Sequence, residues 1–455
     1  MVNKKNLKLK ESGDFTMKNK VPKRMANTII NALKGGVVPR VGLEYITVGR
    51  TQEINAFLHD INIIADGGAT FRFIVGKYGS GKSFLLQTIR NYATAKGFAV
   101  VDADLSPERR FAGTKGQGLA TYRELIGNLS TKSKPDGGAL PLVLEKWISG
   151  IQTKVASEHS PGTPEFDMAV EKQIFAVTAE LEGMVNGFEF AKAVVCYWRA
   201  YQNDDQIMTS NVLKWFRGEY TSKKEAKDEL GINWVVTDET WYDFLKVLAT
   251  FMVSAGYEGL LVMVDELVNI FKISHKISRE NNYEKLLTMY NDALQGKAKH
   301  IGFLMGCTPQ CVEDRYRGIF SYEALRSRLA EGHFSTEDTR DLSAPIIRLS
   351  MLNQEEVYVL IEKLRDIHGN LYGYTPTLTH EDLVYFLEVE YNRVGAETHI
   401  TPREIIRDFI ELVGILHQNP DKSVADVLGN NSFQMAKGGI AAEEDVSDGF
   451  VGFEL

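Results

Sequence analysis

The octapeptide Gly76-Lys77-Tyr78-Gly79-Ser80-Gly81-Lys82-Ser83 fits the pattern G-x-x-x-x-G-K-[ST] and constrains the fold more than any other segment. It lies between the apolar run FRFIV (71–75) and SFLLQTIRNYATAK (83–96), whose apolar residues recur at helical spacing. A strand, a glycine-rich turn and a helix are therefore expected in that order. Glycines let the backbone turn successive N–H groups inward at a helix N-terminus, where the helix dipole favours an anion. The motif predicts a phosphate cradle made of residues 76–83 together with Phe84 at the start of the helix. Lys82 would reach the β- and γ-phosphates of a nucleotide, and Ser83 would ligate Mg²⁺. ATP and Mg²⁺ are the expected ligands.

Four further apolar runs read as strands: GFAVVDADL (97–105), LLVMVDE (260–266), IGFLMGCT (301–308) and PIIRLS (345–350). Apolar strands alternating with helical segments imply a parallel sheet covered on both faces, an α/β fold. Helices are expected over 21–33, where Gly35-Gly36 stops the chain, and over 52–64, with Ile54, Phe57, Leu58, Ile61 and Ile64 on one face. The second and third strands are much further apart than a compact crossover requires. The interval holds helical patterns at 140–156, 164–201, 207–217 and 239–255, read as a helical insertion at about 106–257. After residue 350 the pattern is wholly helical, over 353–368, 380–390 and 401–418. The expected organisation is a disordered basic tail (1–20), an ATPase core carrying the insertion (21–350), a helical lid (351–430) and an acidic tail (431–455).

The third strand ends in Asp265-Glu266. An acidic residue at the carboxyl end of a parallel strand faces the crevice where such sheets bind ligands. Asp265 is the expected second Mg²⁺ ligand, and Glu266 the group that polarises an attacking water. Thr401-Pro402-Arg403-Glu404 is a capping box with Pro at the first helical position, so a helix should start there with Arg403 in its first turn.

Together GKYGSGKS, VMVDE and VGRTQEI (48–54) resemble the AAA+ class of P-loop NTPases, on its origin-recognition and STAND-like side. The resemblance implies a parallel-sheet core with a C-terminal helical lid, ATP hydrolysis at a subunit interface, and hence a homo-oligomer. It assigns the first sensor position to Thr308, where Asn is usual. It assigns the finger arginine to Arg326 or Arg328, which two residues apart on a helix point about 200° from each other, so only one can enter a neighbouring site. Arg403 falls at the second-sensor position. Val48 and Arg50 fall at the adenine-side motif, where backbone around Val48 and Gly49 is an alternative to the Arg50 side chain. A narrower resemblance rests on ALKGGVVP, VGRTQEI, DADLSPERRFAGTKGQGLATYRELIGNL, MVDELVNIFK and TPREIIRDF. These are similar to the ATP-binding protein of BREX-type phage-defence islands, the BrxD kind. It implies an ATPase working beside a helicase or other defence protein against foreign DNA.

Composition narrows the partners. With 52 Lys and Arg against 60 Asp and Glu, the net charge of −8 gives no whole-surface attraction to nucleic acid, so DNA contact requires a local patch or a partner. The insertion aromatics Tyr197, Trp198, Tyr201, Trp215, Trp234 and Trp241 are not interleaved with basic runs, which points to helix packing. Three cysteines cannot build a disulfide framework, and Cys307 and Cys311 have no second ligand pair for zinc. No signal-like or membrane-spanning apolar run is present, so no membrane contact and a cytoplasmic location are expected. Two other function classes compete with a hydrolase. One is an ATP-gated switch or scaffold that recruits a helicase; the other is a small-molecule kinase, which the Asp-Glu pair and TPRE disfavour.

Overall fold

The computed structural model describes residues 20–182, 187–330, 340–392 and 401–429. Five parallel strands form one sheet: β1 (Ala69–Gly76), β2 (Ala99–Asp104), β3 (Leu260–Asp265), β4 (Ile301–Cys307) and β5 (Ile346–Leu349), in the order β2-β3-β4-β1-β5. All five expected strands are present. The β1 strand lies between β4 and β5, and the glycine-rich turn leaves its carboxyl end.

Side chains alternate across the sheet with the period of two that a strand imposes. Phe71, Phe73, Val75, Val101, Val262, Val264, Phe303 and Met305 pack on one face. Ile74, Val100, Leu261, Met263, Leu304 and Ile347 pack on the other, beneath the helices Thr51–Ala65 and Lys82–Ala95. Both faces are covered, so both sets are apolar and the strands read as nearly continuous hydrophobic runs. Arg72 is the charged residue of β1. It is buried and forms a two-pronged pair with Asp60 at 2.7 and 2.6 Å, and it also donates to the Ala344 carbonyl, fixing the chain as it enters β5.

Between β2 and β3 lie the helices Gln117–Gly127, Leu140–Val155, Pro164–Glu182, Gly187–Gln202, Gln206–Phe216, Lys223–Leu230 and Trp241–Ser254. Their core is continuous with the first sheet face: Tyr122, Phe190, Trp215, Phe244 and Phe251 belong to the cluster that contains Phe73 and Val262. The aromatics pack against one another, with Trp215 and Phe244 ring centroids 5.4 Å apart, as expected for helix packing. Over the expected helical stretch 164–201 the described helices are Pro164–Glu182 and Gly187–Gln202, and residues 183–186 lie outside the described residues. The helices 117–127 and 223–230 were not anticipated.

The helices Gln354–Tyr372, His380–Tyr391 and Pro402–Gln418 each begin with a capping box, at Asn353/Glu356, Thr379/Asp382 and Thr401/Glu404. A short helix, Val424–Gly429, follows. The N-terminal segment packs differently from the sequence-based grouping of 21–350. Ala26, Ile29, Ile30, Leu43 and Ile46 share a core with Val357, Leu364, Phe386, Phe409 and Val413. The helix Lys23–Lys34 is strongly amphipathic, and the C-terminal helices supply the apolar surface it needs. The expected tails at 1–19 and 430–455 lie outside the described residues.

Candidate nucleotide site

The site gathers at the carboxyl ends of β1, β3 and β4. The turn after β1 leads into the helix Lys82–Ala95. The Lys82 ammonium donates to the carbonyls of Gly76 (2.8 Å) and Lys77 (3.1 Å), so it lies across the turn it belongs to. Burial holds its pKa below the ordinary lysine value, and Asp265, Cys307 and Glu266 oppose that shift. These neighbours favour the charged form that a phosphate requires.

Ser83 Oγ donates to Asp265 Oδ2 at 3.0 Å, joining the first turn of the helix to the end of β3. The other oxygen, Asp265 Oδ1, accepts the backbone N–H of Glu266 at 2.8 Å. Glu266 adopts φ +60°, a left-handed conformation that costs a non-glycine residue about 1–2 kcal/mol. The chain thereby turns sharply off the strand. Leu267 N–H donates to the Gly306 carbonyl, and Asn269 Nδ2 bonds to the carbonyls of Leu105 and Glu266. The Glu266 side chain stays exposed.

Asp265 needs room over β4. A Cβ at Gly306 would come 2.1 Å from Asp265 Oδ1. Glycine at 306 is thus a condition for the Ser83–Asp265 contact. The donor set fits Mg²⁺, which takes one or two protein oxygens and completes its octahedron with water and phosphate. Among the described residues no group of three or more His, Cys, Asp or Glu is arranged to hold a metal unaided.

Arg50 is buried and donates to the carbonyls of Ser80 (3.1 Å) and Ser350 (2.7 Å). It ties the glycine-rich turn to the end of β5, where the chain leaves for the C-terminal helices. Its guanidinium is therefore taken up by main-chain acceptors. Val48 and Phe84 both pack against the core shared by the N-terminal and C-terminal helices.

Arg403 lies in the first turn of its helix, as its capping box requires. Its Nη1 donates to the Tyr78 hydroxyl at 2.7 Å, and its guanidinium sits 5.4 Å from the centre of the Tyr78 ring. Two residues earlier, Thr401 packs on Gly79, where φ is +79° and a Cβ would meet the Thr401 Cγ2 at 2.9 Å. The start of this helix is seated directly on the glycine-rich turn.

Thr308 follows β4, and its hydroxyl accepts from Cys311 N at 3.3 Å, capping the short helix Pro309–Glu313. A hydroxyl that accepts one bond keeps its proton for another partner. Arg326 and Arg328 lie on Glu323–Leu329 and are exposed. Arg326 faces Glu323 at 3.7 Å, and Arg328 donates to the Ala324 carbonyl. Neither has a hydrogen bond to the P-loop or to Asp265 or Glu266 within the chain.

Asp104 was missed. It ends β2 in register with Asp265, which makes it a third carboxylate on the same edge. Burial, then Asp265, Glu266 and Asp102, raise its pKa against the pull of Arg109. The strand pattern VVDAD carried the signal, but the adjacency of β2 and β3 did not show in the sequence. Arg109 donates to the Asp104 carbonyl and faces Glu124 at 3.6 Å.

With this geometry in place, a comparison with protein-family models matches residues 21–432 to the BREX system ATP-binding protein BrxC/D. The chain belongs to the BrxC/D family. The family is that of an ATP-binding protein of the BREX phage-defence system, consistent with a P-loop fold. A comparison with curated proteins gives no match. Among the described residues no helix is long and apolar enough to cross a membrane.

Proposed function

We propose that this BREX ATP-binding protein is a Mg²⁺-dependent, AAA+-like ATPase of the cytoplasm that drives or remodels a DNA-associated complex in phage defence. The hydrogen bond from Ser83 to Asp265 carries the reading. It brings the hydroxyl and carboxylate read as the Mg²⁺ ligands together, beside a glutamate that has no salt bridge among the described residues. Lys82 and the P-loop N–H groups bind the phosphates, while Ser83 and Asp265 hold Mg²⁺. The ion, when bound, offsets charge on the phosphoryl oxygens. Glu266 orients a water toward the γ-phosphorus and accepts its proton. The new P–O bond forms as the bond to the β–γ bridging oxygen breaks, giving ADP and phosphate. Arg403 swings from Tyr78 to the γ-phosphate as the C-terminal helices close as a lid, and Thr308 offers its free hydroxyl proton to the same group.

Arg326 or Arg328 enters the site of a second copy, which makes the working form a homo-oligomer. Mixing tests this: Lys82→Ala protein combined with an Arg326→Ala/Arg328→Ala double variant should regain part of the turnover that each lacks alone. Persistent inactivity of every mixture of folded proteins would exclude a shared site. A second reading, an ATP-gated switch that recruits a helicase or other effector, is favoured by one observation. Lys82 and Arg403 are both engaged within the chain, on P-loop carbonyls and on Tyr78, so phosphate must displace both contacts. Fast turnover by the isolated protein would count against it.

A further inference from the structure

Two segments run outward from the nucleotide site and meet at the surface. The first follows Glu266 through the short helix Val268–Phe271 to Lys272, His275 and Lys276. The second follows Thr308 through Pro309–Glu313 to Arg315, Tyr316 and Arg317. They are stitched together: the Arg317 guanidinium lies 5.3 Å from the centre of the Phe271 ring and donates to the Lys272 carbonyl at 3.3 Å. The Tyr283 hydroxyl, from the helix Lys276–Leu294, donates to the Arg317 carbonyl at 2.5 Å.

The turn that carries Arg315 and Tyr316 is rigid. Asp314 Oδ1 accepts the N–H groups of both Tyr316 and Arg317 at 2.8 Å, and Gly318 N–H donates back to the Asp314 carbonyl at 2.9 Å. A Cβ at Gly318 would come 2.7 Å from that carbonyl oxygen. Tyr316 at the tip is 88% exposed, the highest exposure among the large hydrophobic side chains described. An aromatic ring held out on a fixed turn between two arginines has no folding role to offset its exposure.

The charges around it are mostly positive. Lys272, Lys276, Arg315 and Arg317 are exposed, with His275 beside them. Acids stand among them: Glu280 faces Lys276 at 3.8 Å, Glu313 bonds to Arg348, and the Asp314 carboxylate accepts the N–H groups of the turn. On a chain of net charge −8 this is a local basic surface with an aromatic platform. Cations that follow a phosphate backbone, with a ring on which a base stacks, are the elements of single-strand recognition.

We propose that the surface formed by Lys272, Lys276, Arg315, Tyr316 and Arg317 binds a single strand of nucleic acid. Phosphates pair with the cations, and one base stacks on Tyr316. Each limb begins within a few residues of Glu266 or Thr308, so strand binding and the nucleotide site are mechanically connected. This extends the reading of a DNA-associated ATPase, yet binding itself can be measured without turnover.

Fluorescence anisotropy with a dye-labelled 30-nucleotide single strand, and its duplex, tests it on the full chain in low salt with and without ATP. Wild type should bind the single strand, with affinity falling as salt rises. Lys276→Glu/Arg315→Glu should weaken binding at least tenfold. Tyr316→Ala should weaken single-strand binding by about 5- to 150-fold, the range for losing one stacked base, and affect the duplex less. ATP binding by both variants should match wild type, which separates this claim from the nucleotide-site claim. No strand binding by wild type, or equal binding by the variants, would overturn the proposal. Undiminished binding with lost self-association would assign the turn to a protein contact and overturn it as well.

Discussion

Substitution of Gly306 by Ala isolates the geometry on which the site depends. Glycine at this position leaves the Asp265 carboxylate space above β4, and a methyl group would stand 2.1 Å from Oδ1 and 3.4 Å from the Asp265 Cα. The backbone of β4 is fixed by pairing with β1 and β3 on either side, so the carboxylate must rotate instead. Rotation breaks the 3.0 Å bond to Ser83 and the 2.8 Å bond to the Glu266 N–H. A hydrogen bond to a charged group contributes about 1.5–3 kcal/mol. If the metal-binding pair loses one such contact, the affinity for MgATP falls about 10- to 150-fold. Titration with a fluorescent ATP analogue, with Mg²⁺ and then with EDTA, measures it. The loss should be large with Mg²⁺ and small in EDTA, because P-loop N–H groups and Lys82 do not depend on Asp265. A thermal melt confirms the fold. Equal MgATP affinity in wild type and Gly306→Ala, or an equal loss with and without Mg²⁺, would refute the steric argument.

Other outcomes follow from the same contacts. Arg50→Ala leaves the Ser80 and Ser350 carbonyls without their donor and should destabilise the protein by about 2–4 kcal/mol, read by urea unfolding; an unchanged midpoint would deny it a bridging role. Tyr78→Phe removes the acceptor that holds Arg403 and should tighten ATP binding several-fold, while Arg403→Ala should abolish the difference between Tyr and Phe at 78. Thr401→Ala removes a capping box and should cost about 1 kcal/mol in thermal or urea unfolding. His368 gives a pH signature. Burial, then His417 and Lys34, depress its pKa from 6.5 to about 4. Its folded pKa is below the unfolded one, so stability is full above about pH 6.5 and declines as pH falls toward 4. Thermal melts should show this decline in wild type and a shallower one in His368→Gln.

Local chemistry was legible in the sequence, and long-range adjacency was not. The P-loop, the Asp-Glu strand end and the capping box at Thr401 are each written in a few consecutive residues, because turn geometry and capping depend on near neighbours. All five strands could be read for a related reason, since a sheet covered on both faces makes each strand continuously apolar. Arg50 shows the limit. Its position in VGRTQEI marked it as notable, yet its partners lie 30 and 300 residues away, and only the folded chain reveals that it braces main-chain carbonyls. Asp104 was hidden in the same way, because its role depends on β2 lying beside β3. The N-terminal helix displays its amphipathic pattern but not which surface it will cover.

Steady-state ATP turnover across a dilution series of the full chain, with Glu266→Gln as control, tests the central claim most directly. The account predicts turnover per subunit that rises with protein concentration and falls at least about 100-fold in the variant, as expected when a general base is lost. Tight MgATP binding with no turnover at any concentration would contradict it.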